Sequence, residues 1–335
     1  MARYWVAGAT GFLGSHLVRV LSAQGHEVVA TSLAGGQLGD VTVSAVDVLD
    51  QAAVEASASG TDGAFLATGF VSHDRGAADK LHRLHVMGTR SALLGLRAAG
   101  VRRTVVASTS GTIAVGTDPK RIFDERDDAP LEIIASWPYY RSKLYGEHEA
   151  LEANSEGFEV IIVNPSLLLG PGDLRESSTG HVRRFLERSI PVVPPGGYAF
   201  VDVRDAAGGM WLAFERGQPG ERYLLNAKNL TIAAFLQRLS RLTGVKVPLL
   251  RMPKHRELAL QLNQVFNKAV RAIGGEPSID EVTVEMSQYY WYCDSAKAQE
   301  ELGWVPRDPG ETLRDTVFDL VERGVVPDFR DRRAS

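Results

Sequence analysis

Gly8-Ala9-Thr10-Gly11-Phe12-Leu13-Gly14 stands near the start of the chain. Ahead of it runs Arg3-Tyr4-Trp5-Val6-Ala7, an apolar stretch of strand character. Behind it Phe12, Leu13, Leu17, Val20 and Leu21 recur at helical spacing until Gly25 stops the pattern. A strand, a glycine turn and an amphipathic helix in that order have a physical use. Glycine lets the chain turn sharply and lets backbone N–H groups approach a bound anion. The helix then points its positive N-terminal end at the same place. The stretch predicts a strand over 3–9, a helix over 12–24 and, between them, a cradle for a pyrophosphate. Gly8, Thr10, Gly11, Phe12, Leu13 and Gly14 build that cradle.

Outward from this loop the first half of the chain keeps alternating. Apolar runs at 27–33, 42–46, 63–67, 103–107 and 160–163 read as strands, and 78–99 and 139–154 read as helices. Alternation of this kind implies βαβ units and a parallel sheet with helices on both faces. After Asn164 the pattern loosens under Pro165, Gly170, Pro171, Gly172, Pro191, Pro194, Pro195, Gly196 and Gly197. The expected organisation is a Rossmann-type, doubly wound α/β domain over 1–164 and a smaller, mostly substrate-binding lobe over 165–335. Strands near 200–226 and 289–293 are expected to return to the sheet. Asp294 is a candidate cap for a helix reaching Leu302.

With 335 residues, two lobes are the natural expectation, and 44% apolar residues suffice for a sizeable core. The net charge of -4, with acids and bases interspersed, argues against a nucleic-acid partner. Cys293 is the sole cysteine, so no internal disulfide can form, which fits a reducing cytoplasm. No apolar leader opens the sequence, and no window is apolar enough to span a membrane. His73, His82 and His85 lack a ligand cluster around them, so no metal is expected and these histidines read as solvated or packed. Tyr289-Tyr290-Trp291-Tyr292 reads as a buried strand. Leu258, Leu262, Val265, Phe266, Ala269 and Ile273 read as a helical stripe packed in the core, with a substrate lid as the alternative.

Tyr139-Tyr140-Arg141-Ser142-Lys143 places a phenol and an ammonium four residues apart, on one helix face. A phenol normally titrates near 10. A neighbouring ammonium lowers that value and makes the group a usable proton donor or acceptor. Alone, such a pair is a common accident of solvated helices. Downstream of a glycine cradle it points to proton transfer at a carbonyl or alcohol oxygen.

These motifs together resemble the extended short-chain dehydrogenase/reductase family, the NAD-dependent epimerase/dehydratase superfamily, in its dihydroflavonol-reductase-like branch. The glycines at 8, 11 and 14 match its fingerprint better than the G-x-G-x-x-G of many dehydrogenases. Val105-Val106-Ala107-Ser108-Thr109-Ser110-Gly111-Thr112 is similar to its V-V-x-T-S-S-A-G-T stretch. The resemblance implies a catalytic set of Thr109, Tyr139 and Lys143, with Ser110 the alternative hydroxyl. If the strand persists that far, Thr109 and Ser110 point to opposite faces and only one can serve. The resemblance also implies cofactor contacts at Asp47, Val48, Ala67, Thr68 and Gly69, at Tyr139 and Lys143, and at Asn164, Pro165 and Ser166. His85 stands where the family has Asn, beside the substrate. Helices 78–99 and 139–154 resemble those of a family homodimer contact.

An acid at the end of the second strand would hold the ribose 2'-hydroxyl of NAD(H). Ser32 occupies that place, and no acid follows before Asp40. NADP(H) is therefore favoured over NAD(H), although no Lys or Arg lies in the same interval. The expected partner is a small carbonyl or alcohol, and the expected activity is hydride transfer. A sugar-nucleotide epimerase or dehydratase would use the same triad, and a non-catalytic dinucleotide-binding regulator would need none of it. Val163-Asn164-Pro165-Ser166-Leu167-Leu168-Leu169-Gly170-Pro171 lacks the R-x-x-N-x-Y-G-P of many epimerases.

Overall fold

The first strand, β1 (Arg3–Ala7), sends Tyr4 and Val6 into one core and Trp5 and Ala7 into another. Side chains alternate along a strand, so an apolar run with few interruptions means that both faces are covered. The computed structural model, which describes residues 1–272 and 281–328, shows the cover. From β1 the chain passes through α1 (Phe12–Ala23), β2 (Glu27–Ser32), β3 (Gly36–Leu38), β4 (Val41–Ala45), α2 (Gln51–Ala58) and β5 (Gly63–Leu66). Then come α3 (Ala78–His82), α4 (Gly88–Ala98), β6 (Arg103–Ala107), α5 (Leu131–Ile134), α6 (Pro138–Ala153) and β7 (Glu159–Pro165). The remainder holds β8 (Leu167–Leu169), α7 (Gly180–Leu186), β9 (Gly197–Asp202), α8 (Val203–Arg216), β10 (Arg222–Leu225) and β11 (Lys228–Thr231). It closes with α9 (Ile232–Thr243), α10 (Arg256–Ala272), α11 (Glu281–Met286), α12 (Ala296–Leu302) and α13 (Pro309–Glu322).

The large sheet has the order β10-β7-β6-β5-β1-β2-β4-β3, with every pair parallel except β3–β4. Leu17 and Leu21 of α1, Met210 of α8 and Leu302 of α12 pack on one face. Val54 of α2, Leu93 and Leu96 of α4 and Ala150 of α6 pack on the other. This is a Rossmann-type, doubly wound α/β sheet. Its strand order reverses between β1 and β5, and such a switch point opens a crevice at the carboxyl ends of the strands. A second sheet, β11-β9-β8, lies with α7, α9 and α13 around Phe200, Phe235, Leu239 and Val317.

Four expectations need correction. Of the returning strands, only β10 joins the large sheet, beside β7. The stretch at 200–203 belongs to β9, which pairs with β8 and β11 instead. Tyr289, Trp291 and Tyr292 are buried, but 289–293 forms isolated bridges and no strand. Its backbone bonds are divided among Gly116, Phe123 and Gly197, so no single neighbour supports a ladder. Helix 78–99 is in three pieces, because a π-helical turn at Arg83–Met87 separates α3 from α4. Finally, Leu258, Leu262 and Val265 of α10 are exposed, while Ala259 is buried. The side chains of Phe266 and Ala269, and Ile273, lie outside the described residues. Among the described residues no helix is long and apolar enough to cross a membrane.

Candidate active site

Two loops meet where β1 and β5 end. Gly8 has a φ of +75°, and a Cβ there would lie 2.6 Å from the Ala67 carbonyl oxygen. A Cβ on Gly14 would lie 2.1 Å from the Gly8 oxygen. Both glycines therefore let backbone segments pack against each other. Gly11 differs: it caps α1 in extended geometry and lines a cavity of about 260 Å³ together with Phe12, Leu13, Ala67, Thr68 and Gly69. The first turn of α1 carries no acidic side chain, so its positive end faces the cavity unopposed. The residues present fit a dinucleotide pyrophosphate. Gly11→Val is expected to weaken cofactor affinity at least tenfold, because a branched side chain would fill the anion's place. Fluorescence titration of the reduced cofactor checks this, and equal affinity in the two proteins would sink the assignment of the loop.

Tyr139 and Lys143 project from α6 into the same cavity, beside Thr109 and Ser110. Pro138 at the first turn fixes the start of α6 and brings Tyr139 close behind it. Lys143 Nζ donates to the Ala107 carbonyl at 2.7 Å. Burial pushes the Tyr139 phenol up to about 12 and the Lys143 ammonium down to about 8. Burial thus acts against the lowered phenol expected from the Tyr139–Lys143 step. Desolvation is the cause at Tyr139, and the same burial disfavours the charged form of Lys143. A phenol so placed keeps its proton at neutral pH.

Strand β6 ends at Ala107, and Thr109 caps a 3-10 turn over Ser110–Thr112. Strand alternation therefore does not decide between Thr109 and Ser110. Their partners do. Ser110 is buried, beside the Cys293 thiol. Thr109 is half-buried, and its Oγ1 accepts from the Gly111 N–H at 3.3 Å, which leaves the hydroxyl proton available.

Below this turn lies a buried carboxylate, Glu147, 1% exposed. Its Oε1 accepts from Ser108 Oγ, from Thr112 Oγ1 at 2.7 Å and from Asn164 Nδ2 at 2.7 Å. Asn164 also donates to the Thr109 carbonyl at 3.0 Å. Asn164 is fully buried and holds the turn at Ser110–Thr112 in place, whereas Pro165 and Ser166 line the cavity. Glu147 follows Lys143 by four residues, so its place on the working face of α6 can be read from the sequence.

His85 does not line the cavity. It is 3% exposed in the π-helical turn. The Phe70 N–H donates to Nε2 at 3.1 Å, which leaves Nδ1–H to donate to Ser142 Oγ at 2.8 Å. Burial and the nearby Lys143 push it down to about 2, so it stays neutral. It ties the loop after β5 to the helix that carries Tyr139. Ser32 lies at the end of β2, and its hydroxyl donates to the Gly35 carbonyl at 3.3 Å. Asp47 accepts from the Leu49 N–H at 3.0 Å, and Val48 is buried against Gly88. Thr10 is exposed beside the glycine loop.

A family model for the NAD dependent epimerase/dehydratase family matches residues 4–225. The chain belongs to that family. A Synechocystis protein provisionally named dihydroflavonol 4-reductase is 33% identical, over 96% of each chain. Sterol demethylase protein B of Methylococcus capsulatus is 31% identical, over 96% of this chain and 99% of that one. The crystal structure of gox2253 superposes with a TM-score of 0.82 at 26% identity, covering 97% of this chain and 100% of that chain. The family match spans the whole glycine loop and the Tyr139/Lys143 helix.

Sequence reasoning missed the rest of the cavity wall. Tyr140 packs on Trp291, ring centres 4.8 Å apart, and Tyr198, His181, Met286 and Ser287 line the far end. No local spacing links residues so far apart in the chain. Among the described residues no group of three His, Cys, Asp or Glu side chains could hold a metal ion.

Proposed function

We propose that this protein is an NAD(P)-dependent oxidoreductase acting on a small ketone or aldehyde, or on the matching secondary alcohol. The observation that carries this reading is that Thr109, Tyr139 and Lys143 line the same cavity as Gly11, Phe12 and Leu13. A bound nicotinamide supplies or accepts the hydride. Tyr139 gives the proton to the reduced oxygen, or takes it in the reverse direction. Thr109 donates a hydrogen bond to that oxygen, where negative charge develops. Lys143 holds the ribose and sets the electrostatics around the phenol.

A sugar-nucleotide epimerase is the second reading. It fits less well, because a nucleotide diphosphate calls for Arg or Lys clamps. Lys143 is the one Lys or Arg among the described residues lining the cavity, and it serves the catalytic set. The reductase name of the Synechocystis relative points the same way. A third reading, a dinucleotide sensor, leaves the catalytic set without a purpose. Cofactor oxidation with a panel of carbonyl compounds, run beside a panel of sugar nucleotides, tests all three. Turnover of carbonyls is expected. Turnover confined to sugar nucleotides, or no turnover in either panel, would overturn the proposal.

NADP(H) over NAD(H) belongs to the same proposal, supported by Ser32 in place of an acid. So does the division into a dinucleotide-binding part, 1–164 with β10, and a substrate lobe beyond it. A cytoplasmic homodimer through the helical stretch 78–99 and α6 completes it. Light scattering at micromolar concentration is expected to give about twice 36.4 kDa, and a mass of one chain would refute the dimer.

A further inference from the structure

The catalytic cavity does not end at its far wall. His181, Tyr198, Thr283 and Ser287 form that wall, and the same four residues line a second cavity of about 50 Å³ on its other side. The second cavity is surfaced by Ile190, Val192, Ile232, Phe235 and Leu236, with Arg184 at one side. Protein interiors keep few voids larger than a water molecule. This one takes roughly four water-sized groups, at about 10–15 Å³ each, and a benzene ring needs a cavity of about 150 Å³. A short aliphatic chain fits where a ring does not. The dividing wall is built of side chains that rotate about single bonds. Tyr198 is half-buried, its ring 5.5 Å from His181 and edge-on to Phe235 at 5.5 Å.

We propose that the two cavities form one substrate site. The carbonyl lies at Tyr139, and an unbranched apolar end of the same molecule, about four carbons long, passes between His181 and Tyr198 to lie against Val192, Phe235 and Leu236. This rests on the oxidoreductase reading and narrows its substrate to a carbonyl compound with an aliphatic tail. Tyr140, Trp291 and Met286 also line the catalytic cavity, which suits an apolar body near the carbonyl. The rear is narrow and accepts the tail alone.

The test separates binding from turnover. Straight-chain 2-alkanones of increasing length are titrated calorimetrically into the full-length protein with saturating NADP⁺, so that no reaction occurs. Affinity is expected to rise about three- to fourfold per methylene as the chain enters the second cavity, then to level off. Val192→Trp fills that cavity and is expected to cost the longest ketone roughly a hundredfold in affinity. Ile190→Phe is a milder filling variant, expected to cost the same ketone about tenfold if the tryptophan is not tolerated. A flat series in the wild type overturns the tail site. So does tighter binding of chains ending in a carboxylate, because Arg184 would then be the partner. Oxidation of NADPH with the same ketones is followed separately. Turnover with a flat binding series removes the tail site and keeps the oxidoreductase. A rising series without turnover removes the oxidoreductase and keeps the tail site.

Discussion

Tyr139→Phe is expected to lower kcat by about 10²–10⁴-fold, the usual worth of a positioned proton donor. The substitution removes one oxygen and its proton and leaves the ring. That ring packs on Tyr140 at 5.0 Å and on His85 at 5.7 Å between ring centres. The contacts survive in the variant, so the melting temperature and the cofactor affinity are expected to stay near the wild-type values. The phenol sits at about 12 and Lys143 at about 8, both moved by burial. The wild-type rate of carbonyl reduction is therefore expected to fall as the pH rises through about 8. The lysine loses its charge there, and Tyr139 still keeps its proton. The check is a pair of steady-state profiles with one ketone. Unchanged kcat in the variant would remove Tyr139 from the mechanism.

What could be read from the sequence was what local spacing encodes. The turn from Gly8 to Gly14, the Tyr139–Lys143 step and the strands that line up beside β1 are all short-range patterns. The cap at Asp202, with Ala206, Met210 and Ala213 at helical spacing behind it, also encodes α8. The apolar run at 200–203 hid that boundary, because β9 passes directly into the helix. The strands β8 and β11, three and four residues long, are too short to show a period. The segment 289–293 has the composition of a strand, yet its backbone partners come from three different places. His85 and Asn164 were legible as positions near the site and not as roles. Both are held in buried hydrogen bonds, and such bonds depend on helices and strands that only the fold brings together.

Thr109→Val is expected to slow turnover by roughly a hundredfold, about 3 kcal/mol of transition-state stabilisation, which is the worth of one donor aimed at a developing oxyanion. Valine keeps the shape of threonine and deletes the hydroxyl. Among the described residues the bond lost is the 3.3 Å contact from the Gly111 N–H, so the melting temperature should change little. The Thr109 backbone stays in position, because its carbonyl accepts from Asn164 Nδ2 at 3.0 Å. Thr109→Ser restores the donor and is expected to recover most of the rate. Ser110→Ala is expected to have the smaller effect on turnover, since that residue is buried at 5% exposure, whereas Thr109 is half-buried. The measurement is kcat for all three variants with one substrate, set beside their melting temperatures. If Ser110→Ala is the crippled enzyme and Thr109→Val is near normal, Ser110 orients the substrate oxygen and Thr109 is only the cap of the turn.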